Sequence, residues 1–322
     1  MNILEVNNLT KKFNGFTAVN GVSFSVEKRE IFGFLGPNGA GKTTTINMLT
    51  GLARPTSGSI KIAGEDGIKN IKKVQQLIGI VPDESNLYDE MSGLDNLVFC
   101  ASLYGIDKNK RDNRAKQLLE EFGLGDTGQK PYKAYSKGMK RKLTIAAGII
   151  HQPEILFLDE PTTGIDVESA RHIRKLILSL NNSGTTIFLT THYIEEAERL
   201  CQRIGFIVDG EIVKIGKTSD LMQEAQKENT VEFVLENNGI PLKHSLIETF
   251  PDIRVKTMGE NIVRILSKDK IDLMPFMKYL DEKNVLVREA RIIRPSLEEV
   301  FVKVTGIEAN NMKKERNGGK KI

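Results

Sequence analysis

Nine residues, Gly36-Pro37-Asn38-Gly39-Ala40-Gly41-Lys42-Thr43-Thr44, constrain this chain more than any others. They fill every fixed position of the pattern G-x-x-x-x-G-K-[ST], in which a loop wraps phosphate oxygens in backbone N–H groups. Glycines let the backbone curl without Cβ clashes, so successive amides point inward. The preceding residues, Glu30-Ile31-Phe32-Gly33-Phe34-Leu35, read as a short apolar strand. Those from Thr43 to Leu52 read as a helix that offers Ile46, Met48 and Leu49 to a core. The helix N-terminus adds unpaired donors and a positive dipole. In such a loop Lys42 reaches the β- and γ-phosphates, and the Thr43 hydroxyl ligates Mg2+. The alternative is a glycine-rich turn that binds nothing; the complete pattern in its required context weighs against it.

A second signal lies at Ile155-Leu156-Phe157-Leu158-Asp159-Glu160. Four apolar residues closed by two carboxylates predict a buried parallel strand with acids at its C-terminal end. Open α/β sheets bind ligands at that end. Asp159 there holds Mg2+ beside Thr43, and Glu160 polarises a water for attack on a γ-phosphate. Two exposed acids at a strand end are the bland alternative. The third signal, Ser136-Lys137-Gly138-Met139-Lys140, opens a helix predicted over Lys137–Ile150. Its N-terminus is a further anion site, although Ser-x-Gly alone is a common helix cap.

The rest of the chain frames these sites. With 322 residues, 39% hydrophobic and 27% charged, it suits one large or two ordinary globular domains. No apolar run approaches the roughly 18–20 residues of a membrane span. The opening Met1-Asn2-Ile3-Leu4-Glu5 runs straight into a strand pattern, so no secretory signal is expected. Cys100 and Cys201 form no C-x-x-C pair, and His151, His172, His192 and His244 have no metal-site spacing. Of the net charge of +4, three units come from the last sixteen residues, where Lys313, Lys314, Arg316, Lys320 and Lys321 outnumber Glu308 and Glu315. The basic charge therefore reads as a solvated tail and not as a nucleic-acid footprint.

Residues 2–26 alternate as strands, with Phe13 in the polar turn Lys11-Lys12-Phe13-Asn14-Gly15. Phe13 is either a surface aromatic or a π-face for adenine. A helical insert spans about 85–150, with Ala115, Leu118, Leu119 and Phe122 at helical spacing. The expected domains are an α/β nucleotide-binding domain over 1–228, a smaller α+β unit over 229–306 and a disordered basic tail over 307–322. The second unit reads β-α-β-β-α-β, a ferredoxin-like order, and carries no catalytic constellation; a regulatory or dimerising role is expected.

Taken together, these stretches resemble the ATP-binding cassette (ABC) ATPases over nearly the whole chain. Gly36–Thr44 is similar to their Walker A, Ile155–Glu160 to Walker B, and Ser136–Lys140 to the signature L-S-G-G-Q in an S-K-G-M form. Gly164-Ile165-Asp166 resembles the D-loop, and Thr190-Thr191-His192 the switch histidine. Arg294-Pro295-Ser296-Leu297-Glu298-Glu299-Val300-Phe301 to Gly306 resembles the C-terminal extension of the drug- and sodium-exporter branch, which includes daunorubicin exporters. The resemblance implies a P-loop NTPase fold with an antiparallel β subdomain and a helical subdomain. It also implies ATP and Mg2+ as ligands, and Glu160, His192 and Lys42 as the catalytic set. Nucleotide would be held by Phe13, Gly36, Pro37, Asn38, Gly39, Ala40, Gly41, Lys42, Thr43 and Thr44. Ser136 and Gly138 would act from a second copy in a head-to-tail homodimer. The partner would be a separate integral-membrane permease, which places the chain at the cytoplasmic face of the membrane. One position departs from the pattern: Asp83 stands where many cassettes carry a glutamine. The expected metal set is Thr43, Asp159 and Asp83, with Asp83 either keeping a weakened metal contact on its shorter stem or staying outside the site to serve the permease contact.

Other readings fit less. Ribosomal members carry two cassettes per chain and repair members long coiled coils; residues 43–135 hold only a short insert. A P-loop kinase has no use for Ser136–Lys140 or Thr190–His192. A non-hydrolysing regulatory subunit has no use for Glu160. The transported cargo is not written in this chain.

Overall fold

The computed structural model describes residues 1–225, 229–236, 242–293, 296–308 and 312. The expected basic tail from Lys313 on, the link at 226–228 and Arg294-Pro295 lie outside the described residues. The chain divides into two units, Ser219–Lys303 and the remainder, Met1–Thr218 with the described residues from Val304 on. The division falls earlier than the 228/229 boundary read from the sequence, because the helix over Thr218–Ala225 groups almost wholly with the second unit.

The first unit runs β1 (Asn2–Phe13), β2 (Phe16–Glu27), β3 (Ile31–Leu35), α1 (Lys42–Leu49), β4 (Ser57–Ile62), β5 (Glu65–Asp66), α2 (Ile71–Leu77) and β6 (Ile78–Val81). It continues through α3 (Gly93–Leu103), α4 (Lys108–Glu121), α5 (Lys137–Gly148), β7 (Ile155–Asp159), α6 (Val167–Asn182), β8 (Thr186–Thr191), α7 (Ile194–Leu200), β9 (Arg203–Val208) and β10 (Glu211–Lys217). The apolar runs of β3 and β7 are buried at every position, as strands covered on both faces must be. Helix α6 starts where Asp166 Oδ1 accepts the Ser169 N–H at 2.8 Å, and Gly184, at φ +104°, turns the chain after it.

Two sheets result. The smaller is antiparallel, in the order β2-β1-β4-β5. The larger is ordered β10-β9-β3-β8-β7-β6, parallel throughout except for the β9–β10 hairpin. Phe24 of β2 joins them by stacking on Phe32, Phe34 and Phe188 with centroids 5.5–5.8 Å apart. Each such pair adds about 0.5–1.5 kcal/mol beyond its area burial. Because β8 lies between β3 and β7, the loops after three adjacent strands emerge at one sheet edge. Those loops carry Gly36–Lys42, Glu160 and His192. The helices α3 to α5 fall within the insert expected over 85–150.

The second unit contains α8 (Thr218–Ala225), β11 (Asn229–Leu235), α9 (Leu242–Thr249), β12 (Arg254–Met258), β13 (Ile262–Ser267), α10 (Leu273–Glu282) and β14 (Val287–Ile293), followed by α11 (Leu297–Thr305). After α8 the order is β-α-β-β-α-β, and the sheet is antiparallel in the order β12-β13-β11-β14. Val231, Phe233, Val263 and Ile265 form its core with Leu246 of α9 and Phe276 and Leu280 of α10.

Candidate active site

The loop between β3 and α1 bends as its glycines allow. Gly39 and Gly41 have φ of +79° and +98°, and a Cβ on Gly41 would lie 2.6 Å from the Ala18 carbonyl oxygen. A Cβ on Gly36 would meet the Ile207 carbonyl oxygen at 2.1 Å. Helix α1 begins at Gly41 with no side-chain cap, which leaves its first amides for a ligand. The Asn38 N–H is taken by the Met312 carbonyl at 3.2 Å.

This loop forms one wall of a cleft of about 650 Å³ lined by Asn38, Gly39, Gly41, Lys42, Thr43 and Thr44. Asp83, Glu160, Thr163 and His192 line it too, with Phe16. Gly36, Pro37 and Ala40 serve as backbone: Lys42 Nζ donates to Gly36 O at 2.8 Å and Pro37 O at 3.2 Å, and the Ala40 N–H donates to Pro37 O.

Glu160 joins Lys42 and His192. Its Oε1 is 3.2 Å from Lys42 Nζ, its Oε2 is 2.8 Å from His192 Nδ1, and the Thr163 hydroxyl donates to Oε2 at 3.1 Å. Burial opposes its charge, but the His192 hydrogen bond and the Lys42 charge outweigh that cost and hold it below the usual carboxylate range. Glu160 has φ +48°, a strained value for a glutamate, which turns its side chain out of the β7 line. Asp159 lies behind it, almost fully buried, with the Thr190 hydroxyl donating to its Oδ1. Burial raises Asp83 above the carboxylate range, with Arg141 pulling the other way and the neighbouring carboxylates adding to the rise. The Thr43 hydroxyl and these carboxylates are hard oxygen donors, the chemistry Mg2+ selects.

Phe13 does not line the cleft, and neither do Ser136 and Gly138, which are expected to act on another copy's nucleotide. Phe13 ends β1 instead of sitting in a turn, pairs across the hairpin with Phe16, and stands under Lys11 Nζ at 4.7 Å from its ring centroid. Phe16, overlooked in the sequence pattern, is the aromatic that lines the cleft. Ser136 and Gly138 begin α5 and do not line the cleft. Ser136 Oγ accepts the Met139 N–H at 3.2 Å, and Gly138 lets α5 approach α6, since its Cβ would meet Ser169 Oγ at 2.2 Å.

Sequence reasoning also missed two buried polar residues. Arg141 sits in Lys140-Arg141-Lys142, which looks like a solvated basic run, yet it shares a helix face with Gly138 and Ile145 and is buried. The periodicity was a usable signal. Glu196 is buried on α7, with its Oε1 accepting from the Thr162 hydroxyl at 2.6 Å. Its acidic neighbours Glu195 and Glu198 hide it in the sequence.

The comparisons with known proteins agree with this geometry. The family described as ABC transporter matches residues 19–163. The linearmycin resistance ATP-binding protein LnrL of Bacillus subtilis (strain 168) is 35% identical, over 94% of this chain and 98% of its own length. The daunorubicin/doxorubicin resistance ATP-binding protein DrrA of Streptomyces peucetius is 33% identical, over 96% of this chain and 94% of its own. Among solved structures, an ATP-binding subunit of an ABC transporter has a TM-score of 0.63 at 28% identity, over 69% of this chain and 92% of its own. A dimeric post-hydrolysis ATP-binding cassette bound to ADP and Pi has a TM-score of 0.62 at 25% identity, over 67% of this chain and 98% of its own.

Proposed function

The chain belongs to the ATP-binding proteins of ABC transporters and hydrolyses ATP, and on that premise we propose that it drives an exporter through a separate membrane permease. The observation that carries the reading is Glu160, ionised and held between Lys42 and His192 at the mouth of the P-loop cleft. A carboxylate so placed accepts a proton from a water aligned on the γ-phosphate. Lys42 exchanges its contacts with Gly36 O and Pro37 O for phosphate oxygens when ATP enters. His192, bonded to Glu160, orients that base and reports the loss of the γ-phosphate. Thr43 with Asp159 and Asp83 would hold Mg2+, which would supply positive charge to the phosphates when bound. Phe16, with Phe13 beside it, offers an aromatic face to adenine.

The second half of the site comes from another copy of this chain. Ser136 and Gly138 present the α5 N-terminus to that copy's nucleotide, so a two-fold dimer completes two equal sites. The dimer docks on the permease at the cytoplasmic membrane face. Among the described residues no helix is long and apolar enough to cross a membrane. The resistance and export names of the relatives support an exported small molecule, of the drug or antibiotic class, as cargo.

Glu160→Gln tests this directly. The variant should bind ATP, form a stable dimer with ATP and Mg2+ on gel filtration, and lose on the order of 10²–10⁴ in turnover. A variant that stays monomeric with ATP, or hydrolyses it at the parent rate, sinks the reading.

A further inference from the structure

Arg141 is the buried cation of α5, and its guanidinium contacts are unusual. Its Nε donates to Pro161 O at 2.9 Å. Its Nη1 donates to Pro82 O and, at 3.1 Å, to Asp83 O. Its Nη2 donates to Asp159 O at 2.5 Å and Glu160 O at 2.8 Å. A guanidinium has five N–H donors in a rigid fork, and all five here meet backbone carbonyls. None of these acceptors is a carboxylate oxygen, and none belongs to α5.

The five carbonyls come from two loops. Pro82 and Asp83 follow β6; Asp159 to Pro161 close β7 and begin its loop. Glu160 O also accepts the Thr163 N–H at 3.2 Å, and a fixed fork of donors shared by all five carbonyls sets the spacing of the two loops. Their side chains include Asp83, Asp159 and Glu160, the carboxylates of the candidate site. The anchor of the fork lies five residues into the helix that starts at Ser136, roughly 7.5 Å along its axis. One rigid group therefore ties the signature end of α5 to the backbone under the hydrolytic carboxylates.

We propose that Arg141 is a positioning residue that sets the Asp83 and Glu160 loops of one nucleotide site according to how the α5 N-terminus of the same chain engages the other. The inference rests on the two-copy site proposed above and adds the link between its halves. A displacement of α5 on the partner's nucleotide moves Arg141, and Arg141 moves the carbonyls of residues 82–83 and 159–161. Misplacing a catalytic group by about 1 Å costs on the order of 10²-fold, so a small shift is enough to gate hydrolysis. Arg141 touches no substrate itself.

The experiment compares Arg141→Gln and Arg141→Lys with the parent in steady-state ATPase assays over a range of ATP, in fluorescent-ATP titrations and in thermal melts. Arg141→Gln should lower turnover on the order of 10–100-fold and bring the Hill coefficient to about 1, with nucleotide affinity within about twofold of the parent. Arg141→Lys, with three donors on a flexible stem, should recover part of the turnover. Unchanged turnover and cooperativity overturn the proposal, as does a parent without cooperativity. A parallel loss of affinity, melting temperature and turnover in both variants overturns it too, because that is what a purely structural arginine would show. Glu160→Gln, run alongside, keeps the two ideas apart: its ATP-dependent dimer reports the two-copy site whatever Arg141 does.

Discussion

Two helix N-termini in this chain carry similar chemistry and have different fates. Helix α1 starts at Gly41 without a side-chain cap, and its first residues line a cleft with Glu160 and His192. Helix α5 starts at Ser136, which is exposed and caps its own Met139 N–H. The first end is a cradle because strands β3, β7 and β8 bring their loops to it. Among the described residues the second does not line that cleft, which is why its proposed ligand is the nucleotide of another copy. A helix end becomes a binding site through what the tertiary structure sets opposite it, since the dipole and free amides alone are weak and solvated.

Mixing two inactive variants is the sharpest way to break that comparison. Lys42→Ala should lose nucleotide binding, and Ser136→Arg should keep binding yet lose turnover. A 1:1 mixture pairs the intact loop of one chain with the intact α5 of the other in half of its dimers. Activity should reappear, at up to about a quarter of the parent level. A mixture as inactive as its components would falsify the division of the site between copies. Next in size is Asp83→Ala, which removes a carboxylate that lines the cleft along with Thr43. Turnover should fall by about tenfold, more than nucleotide affinity does; normal ATPase activity and normal transport together would remove Asp83 from the site. Phe16→Ala should weaken ATP about three- to tenfold through lost stacking, and Phe13→Ala less. The reverse order in a fluorescent-ATP titration would return the adenine contact to Phe13.

The smallest effect concerns Glu196. Burial holds this carboxyl above the ordinary range despite the hydrogen bond from Thr162. A raised folded value means that the native state binds the proton more tightly. That stability is fully present below the unfolded carboxyl value and is lost as pH rises through the folded one. Glu196→Gln keeps an oxygen for Thr162 and removes the titration. Its melting temperature relative to the parent should therefore climb as the pH rises above the ordinary carboxylate value of 4.5. A difference flat in pH would mean that Glu196 titrates as in the unfolded chain.

Much of the site was legible before the fold. The loop at Gly36–Thr44 and the acids after Ile155–Leu158 are local patterns, because glycine sterics and strand burial act over a few residues. The β-α-β-β-α-β order of the second unit was legible for the same reason, through its alternation of periods. The choice between Phe13 and Phe16 was not, since it depends on which end of a hairpin turn faces the cleft.

By itself the sequence determined the phosphate loop, the strand-end acid Glu160 and the order of elements around them, since each is encoded by neighbours in the chain. Only the tertiary structure decided that Glu160 stands between Lys42 and His192, that Arg141 joins five carbonyls, and that Ser136 does not line the cleft. Those contacts unite residues from 18 to 118 positions apart, and what brings them together is the insertion of β8 between β3 and β7 and the packing of α5 against their loops.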